Sequence, residues 1–99
     1  SLQQTHELAE ELYAQQLFEE AVHAYQRVLF FDATQHYAME SHQALASCFL
    51  HLSRPKEAIE QLELAHQLSR EEEQKVEIRF QQVGIQLVGG DFEKAQNIF

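Results

Sequence analysis

Six histidines, one cysteine and several runs of carboxylates are the side chains in this sequence with a capacity for chemistry. Histidines can hold a transition metal or carry a phosphoryl group. A thiolate can attack a carbonyl, and two carboxylates can divide the work of acid and base. Each chemistry needs partners at a particular spacing. His6, His23, His36, His42, His51 and His66 never form a His-x-x-x-His pair, and Cys48 does not accompany them at zinc spacing. His51 leads into Leu52-Ser53-Arg54-Pro55, a helix end, which suits a phosphoryl acceptor poorly. Cys48 lies between Ser47 and Phe49 and reads as a small core residue. Glu71, Glu72 and Glu73 read as the start of a helix, where the backbone dipole favours negative charge. Glu10-Glu11 and Glu19-Glu20 read as solvated faces, and Gly89-Gly90 lacks the following Lys-Ser or Lys-Thr of a phosphate loop. The expectation is no catalytic residue, no metal and no cofactor, so the protein is not read as an enzyme.

The elements that would position these residues read as helices throughout. One Pro and three Gly in 99 residues argue against a loop-rich β fold, and 44% apolar residues suffice for one small folded domain. The spacing predicts a first helix over about 2–14, opened by a capping box of Ser1 and Gln4, with Leu8, Ala9 and Leu12 as its apolar stripe. A second is predicted over about 18–30, carrying Phe18, Ala21, Val22, Tyr25, Val28 and Leu29 at helical spacing. Asp32 or Thr34 is the expected cap of a third helix, which ends near His51 and buries Leu45, Ala46 and Phe49. Ser53 as cap and Pro55 in the first turn would start a fourth, with Ala58, Ile59, Leu62, Ala65 and Leu68 inside. Ser69 to Glu72 reads as a second capping box opening a fifth helix to about Val88, with Val76, Phe80, Val83, Gly84 and Leu87 as its stripe. Gly89-Gly90 would stop it, and a sixth helix would start near Asp91.

Ala21, Ala58 and Ala95 lie 37 residues apart, in the phrases Phe18-Glu-Glu-Ala21, Pro55-Lys-Glu-Ala58 and Phe92-Glu-Lys-Ala95. A fixed period of this length is the mark of stacked helical repeats. With Ala9, Ala46 and Gly84 as small residues in the first helix of each unit, the chain resembles the tetratricopeptide repeat family. The closest local match is Gly90-Asp-Phe-Glu-Lys-Ala95. The resemblance implies an all-α, right-handed α-solenoid of three antiparallel helix hairpins, in units of about 2–34, 35–70 and 71–99. The last unit is truncated, which suggests that the chain is part of a longer one. Ala9, Ala46 and Gly84 would lie where paired helices come closest.

In this family the first helix of each pair lines a concave groove that binds a partner peptide. The resemblance places there His6, Glu10 and Tyr13 from the first unit, then Gln43, Ser47, Leu50 and His51. Ile78, Gln81, Ile85 and Val88 come from the third. This set is acidic and polar at one end and apolar at the other. One group in the family grips C-terminal carboxylates with Lys and Arg, but the first and third predicted helices contain neither, and Glu10 would repel such a ligand. Ile78, Ile85 and Val88 have two readings, a groove floor or a face packed against further repeats. Formal net charge is −9, with seven acids and one base in residues 1–53. That disfavours nucleic acid and anionic membranes and favours basic or apolar partners. The expected function is a cytoplasmic protein-interaction scaffold. Alternatives are an assembly factor shielding an apolar client segment and a regulatory segment of a larger protein. Self-association through an exposed C-terminal helix is also open.

Overall fold

The computed structural model describes residues 1–90, so Ala95, Phe92, Ile98, Phe99 and the expected sixth helix lie outside the described residues. Five α-helices follow one another: α1 Leu2–Ala14, α2 Phe18–Phe31, α3 Ala38–His51, α4 Pro55–Leu68 and α5 Glu72–Ile85. A π-helical segment, Gln86–Gly90, continues α5, and no strand occurs among the described residues. The protein is all-α, as expected. Each helix packs on the next in sequence, so α1 with α2 and α3 with α4 form hairpins.

The helix ends explain where the chain turns. α1 opens with the expected capping box: Ser1 Oγ accepts the Gln4 N–H at 3.3 Å, and Gln4 Oε1 accepts from the Ser1 amine at 3.0 Å. Before α3, the buried Asp32 carboxylate accepts the N–H groups of His36 (3.0 Å) and Tyr37 (2.7 Å), so Asp32 organises the connection. Pro55 occupies the first turn of α4 as expected. Ser53 does not cap that helix. It adopts a left-handed φ of 60° and closes α3 instead. Ser69 likewise ends α4, with its Oγ donating to the Ala65 carbonyl at 3.2 Å, and the second capping box is not formed. A serine beside a helix break can serve either helix, and here the carbonyls left open at the end of the preceding one take it.

The two hairpin turns are copies of each other. Gln16 (φ 63°) and Ser53 (φ 60°) hold equivalent left-handed positions 37 residues apart. Leu17 N–H donates to the Leu12 carbonyl at 2.9 Å, and Arg54 N–H to the Phe49 carbonyl at 2.7 Å. Gln16 to Tyr13 and Ser53 to Leu50 repeat the next bond inward, at 2.9 and 3.1 Å. The 37-residue period therefore exists in the backbone as well as in the sequence.

The core runs along the array. Ala9, Ala21, Ala46 and Ala58 are buried, with Val22, Tyr25, Leu45, Cys48, Phe49, Leu62 and Ala65 between them. Small side chains there let helices approach closely. Leu8, expected in the α1 stripe, is exposed, and His6 is buried instead. The larger correction concerns α5. Val76, Phe80, Val83 and Leu87 are exposed, Phe80 by 75%, while Ile78 is wholly buried. α5 carries two apolar stripes, and the one with fewer apolar residues packs inward. Gln82 makes that possible because its amide donates to the Ile59 carbonyl (3.4 Å) and to Glu63 (3.2 Å). The radius of gyration is 14.5 Å, against about 13 Å for a globular chain of this length, and the extents are 52 × 31 × 19 Å. The molecule is elongated, as a stack of hairpins must be.

Candidate functional site: a groove between α3 and α5

Along α3, residues 43, 47 and 50 fall at helical spacing on one side. Along α5 and its π extension, residues 81, 84, 85 and 88 do the same. These two rows face a groove of about 970 Å³, with Ala46, Leu62, Ser53 and Pro55 completing its lining. The set contains no charged side chain. Leu50 and Val88 present exposed apolar surface, while Gln43, Ser47 and Gln81 offer uncharged hydrogen-bonding groups. Gly84 enlarges the space, since an added Cβ would meet nothing within 4 Å. The repeat pattern predicts a close helix–helix approach at this glycine, but it lies on an open wall.

Six of the residues anticipated from sequence thus come together: Gln43, Ser47, Leu50, Gln81, Ile85 and Val88. The other five do not line the groove. Ile78 shares the inward face of α5 with Ile85 but is wholly buried in the core and does not reach the groove. The His51 ring stacks on Phe18 at 4.1 Å. The Tyr13 hydroxyl shares a 2.6 Å hydrogen bond with Ser47 Oγ, which ties α1 to the groove wall. His6 is 6% exposed and stacks on Tyr37 at 4.3 Å. Its Nδ1 lies 3.4 Å from Glu10 and its Nε2 3.6 Å from Glu40, so two carboxylates flank one buried imidazole. Sequence reasoning missed the contributions of Pro55 and Leu62, because the family pattern assigns the groove to first helices alone.

A second, shallower depression of about 540 Å³ lies against the exposed stripe of α5, lined by Val76, Phe80 and Val83 with His66, Glu72, Lys75 and Arg79. Arg79 reaches across to Glu63 on α4. Its hydrogen bond, with a second from Gln82, holds the Glu63 carboxyl below the usual carboxylate range.

Burial pushes the Cys48 thiol up to about 11, so little thiolate exists at neutral pH. Among the described residues no group of three His, Cys, Asp or Glu is placed to hold a metal ion. No helix among them is long and apolar enough to cross a membrane. No family model, curated protein or solved structure matches the chain.

Proposed function

We propose that the chain is a protein-interaction module of the tetratricopeptide type that holds a peptide segment of a partner in the groove between α3 and α5. The observation that carries this reading is an open, uncharged groove with exposed Leu50 and Val88 and four amide or hydroxyl groups along its walls. Ligand sites of this kind combine apolar area with a few polar groups that fix orientation. The module acts by binding and not by catalysis. A cytoplasmic location fits its one buried, unpaired cysteine.

Gly84 supplies the test. A Cβ there would meet nothing within 4 Å, and Gly84 lines the groove, so a large side chain at this position is expected to fill groove space. Gly84→Phe is expected to keep the helical circular-dichroism spectrum and melting temperature. It should bind peptides selected on the wild-type protein at least about tenfold more weakly, a loss of about 1.4 kcal/mol. Unchanged binding by this variant would remove the groove from consideration.

A second reading is favoured by the exposed Val76, Phe80, Val83 and Leu87 stripe. Apolar side chains in such a row suit cover by a neighbouring helix, as in a longer repeat array or an assembly with another subunit.

A further inference from the structure

The groove has a direction. Its lining runs along α3 from Gln43 through Ser47 to Leu50 and along α5 and its π extension from Gln81 through Ile85 to Val88. The apolar side chains therefore gather toward the C-terminal ends of both helices, where Pro55 and Ser53 also line it. Along α3, residues 40, 43, 47 and 50 recur at helical spacing, so the line through Gln43 and Ser47 leads from Leu50 to Glu40. Glu10 of α1 joins Glu40 there through the His6 ring that both approach. The two carboxylates remain 59% and 67% exposed. Among the described residues neither has a Lys or Arg within ion-pair distance, and α1 and α3 contain no Lys or Arg at all. The two carboxylates stand outside the groove lining, beyond its Gln43 end, and are open to a cation from outside.

We infer that the occupant of the groove is an extended peptide with an apolar anchor at one end and basic residues at the other. This rests on the groove reading above and adds the chemistry and polarity of the ligand. The anchor sits against Leu50, Ile85 and Val88, and the cations lie against Glu10 and Glu40. Gln43, Ser47 and Gln81 provide donors and acceptors for the peptide backbone between them. Ten residues along α3 from Glu40 to Leu50 span about 15 Å, which an extended chain covers in about five residues. The basic residues thus stand about five positions from the anchor. An acidic or carboxylate-ended peptide is repelled at that end, and opposite charge steers the basic one in.

The experiment is selection of a displayed random-peptide library on the purified protein, followed by affinity measurement on synthetic copies of the selected sequences. Expected sequences pair an aliphatic anchor with Lys or Arg about five residues away. The double variant Glu10→Gln, Glu40→Gln should bind them about fivefold more weakly, and added salt should erase the difference. It should keep its melting temperature and its affinity for a peptide bearing the anchor alone, which separates a lost charge contact from a damaged fold. Enriched peptides with an apolar anchor but no basic preference, or with acidic residues, overturn the inference and leave the groove standing. An empty selection overturns both.

Discussion

Tyr25 illustrates how one side chain records the packing around it. Its ring is buried between hairpins, edge-on to His6 at 6.1 Å. Burial, with a smaller push from the Glu10 carboxylate, raises its phenol from 10.0 to about 12. The folded protein therefore keeps a proton that the unfolded chain has released between pH 10 and 12. Stability from this group is complete below pH 10 and is lost as pH rises through that window. Urea midpoints of the wild type should fall more steeply there than those of Tyr25→Phe, whose ring has nothing to ionise. Parallel slopes would mean the phenol is as free in the folded state as in the unfolded one. Ser41 is the opposite case: its hydroxyl is buried and finds no hydrogen-bond partner among the described residues. A buried hydroxyl left unbonded is destabilising, which makes it a cost of the α3 packing and no sign of a site.

At the scale of the element, the hairpin turns hold a definite strain. Gln16 and Ser53 adopt left-handed backbone without being glycine. For such residues that conformation costs about 1–2 kcal/mol, part of which glycine regains at the expense of a freer unfolded chain. Ser53→Gly is expected to raise stability by about 0.5–1 kcal/mol, and Ser53→Val to lower it by more than that. Thermal unfolding of the two variants decides the matter, since equal midpoints would show the turn to be unstrained. α5 is the element where amphipathicity misleads. Val76, Phe80, Val83 and Leu87 form the richer stripe, yet Ile78, Gln82 and Ile85 face the rest of the array.

Across the whole molecule, the 52 Å length leaves each hairpin in contact mainly with its neighbours. Close approach of consecutive helices at small residues then sets how well the stack holds together. Ala58 is wholly buried at the position that repeats Ala21. Ala58→Leu should overpack it at a cost of about 1–3 kcal/mol. For a domain of this size that lowers the melting temperature by about 4–8 °C per kcal/mol. A melting temperature within a degree of wild type would show that the helices have room to spare.

The sequence by itself determined the helices, the 37-residue period and most of the core. Periodicity, the Ser1 cap and Pro55 act within a few residues of the chain, and Ala21 and Ala58 announce close packing by their size alone. It also supplied six residues of the groove. Only the tertiary structure decided which face of α5 turns inward, because the answer depends on Gln82 reaching Ile59 and Glu63 on another helix. The same holds for His6, enclosed by Glu10 of its own helix, Tyr25 of α2 and Tyr37 and Glu40 at the start of α3, and for Gly84, whose open surroundings no local pattern specifies. Local rules specify where helices begin and end. Which surfaces they bury depends on partners distant in sequence, and the groove is the space that those partners leave open.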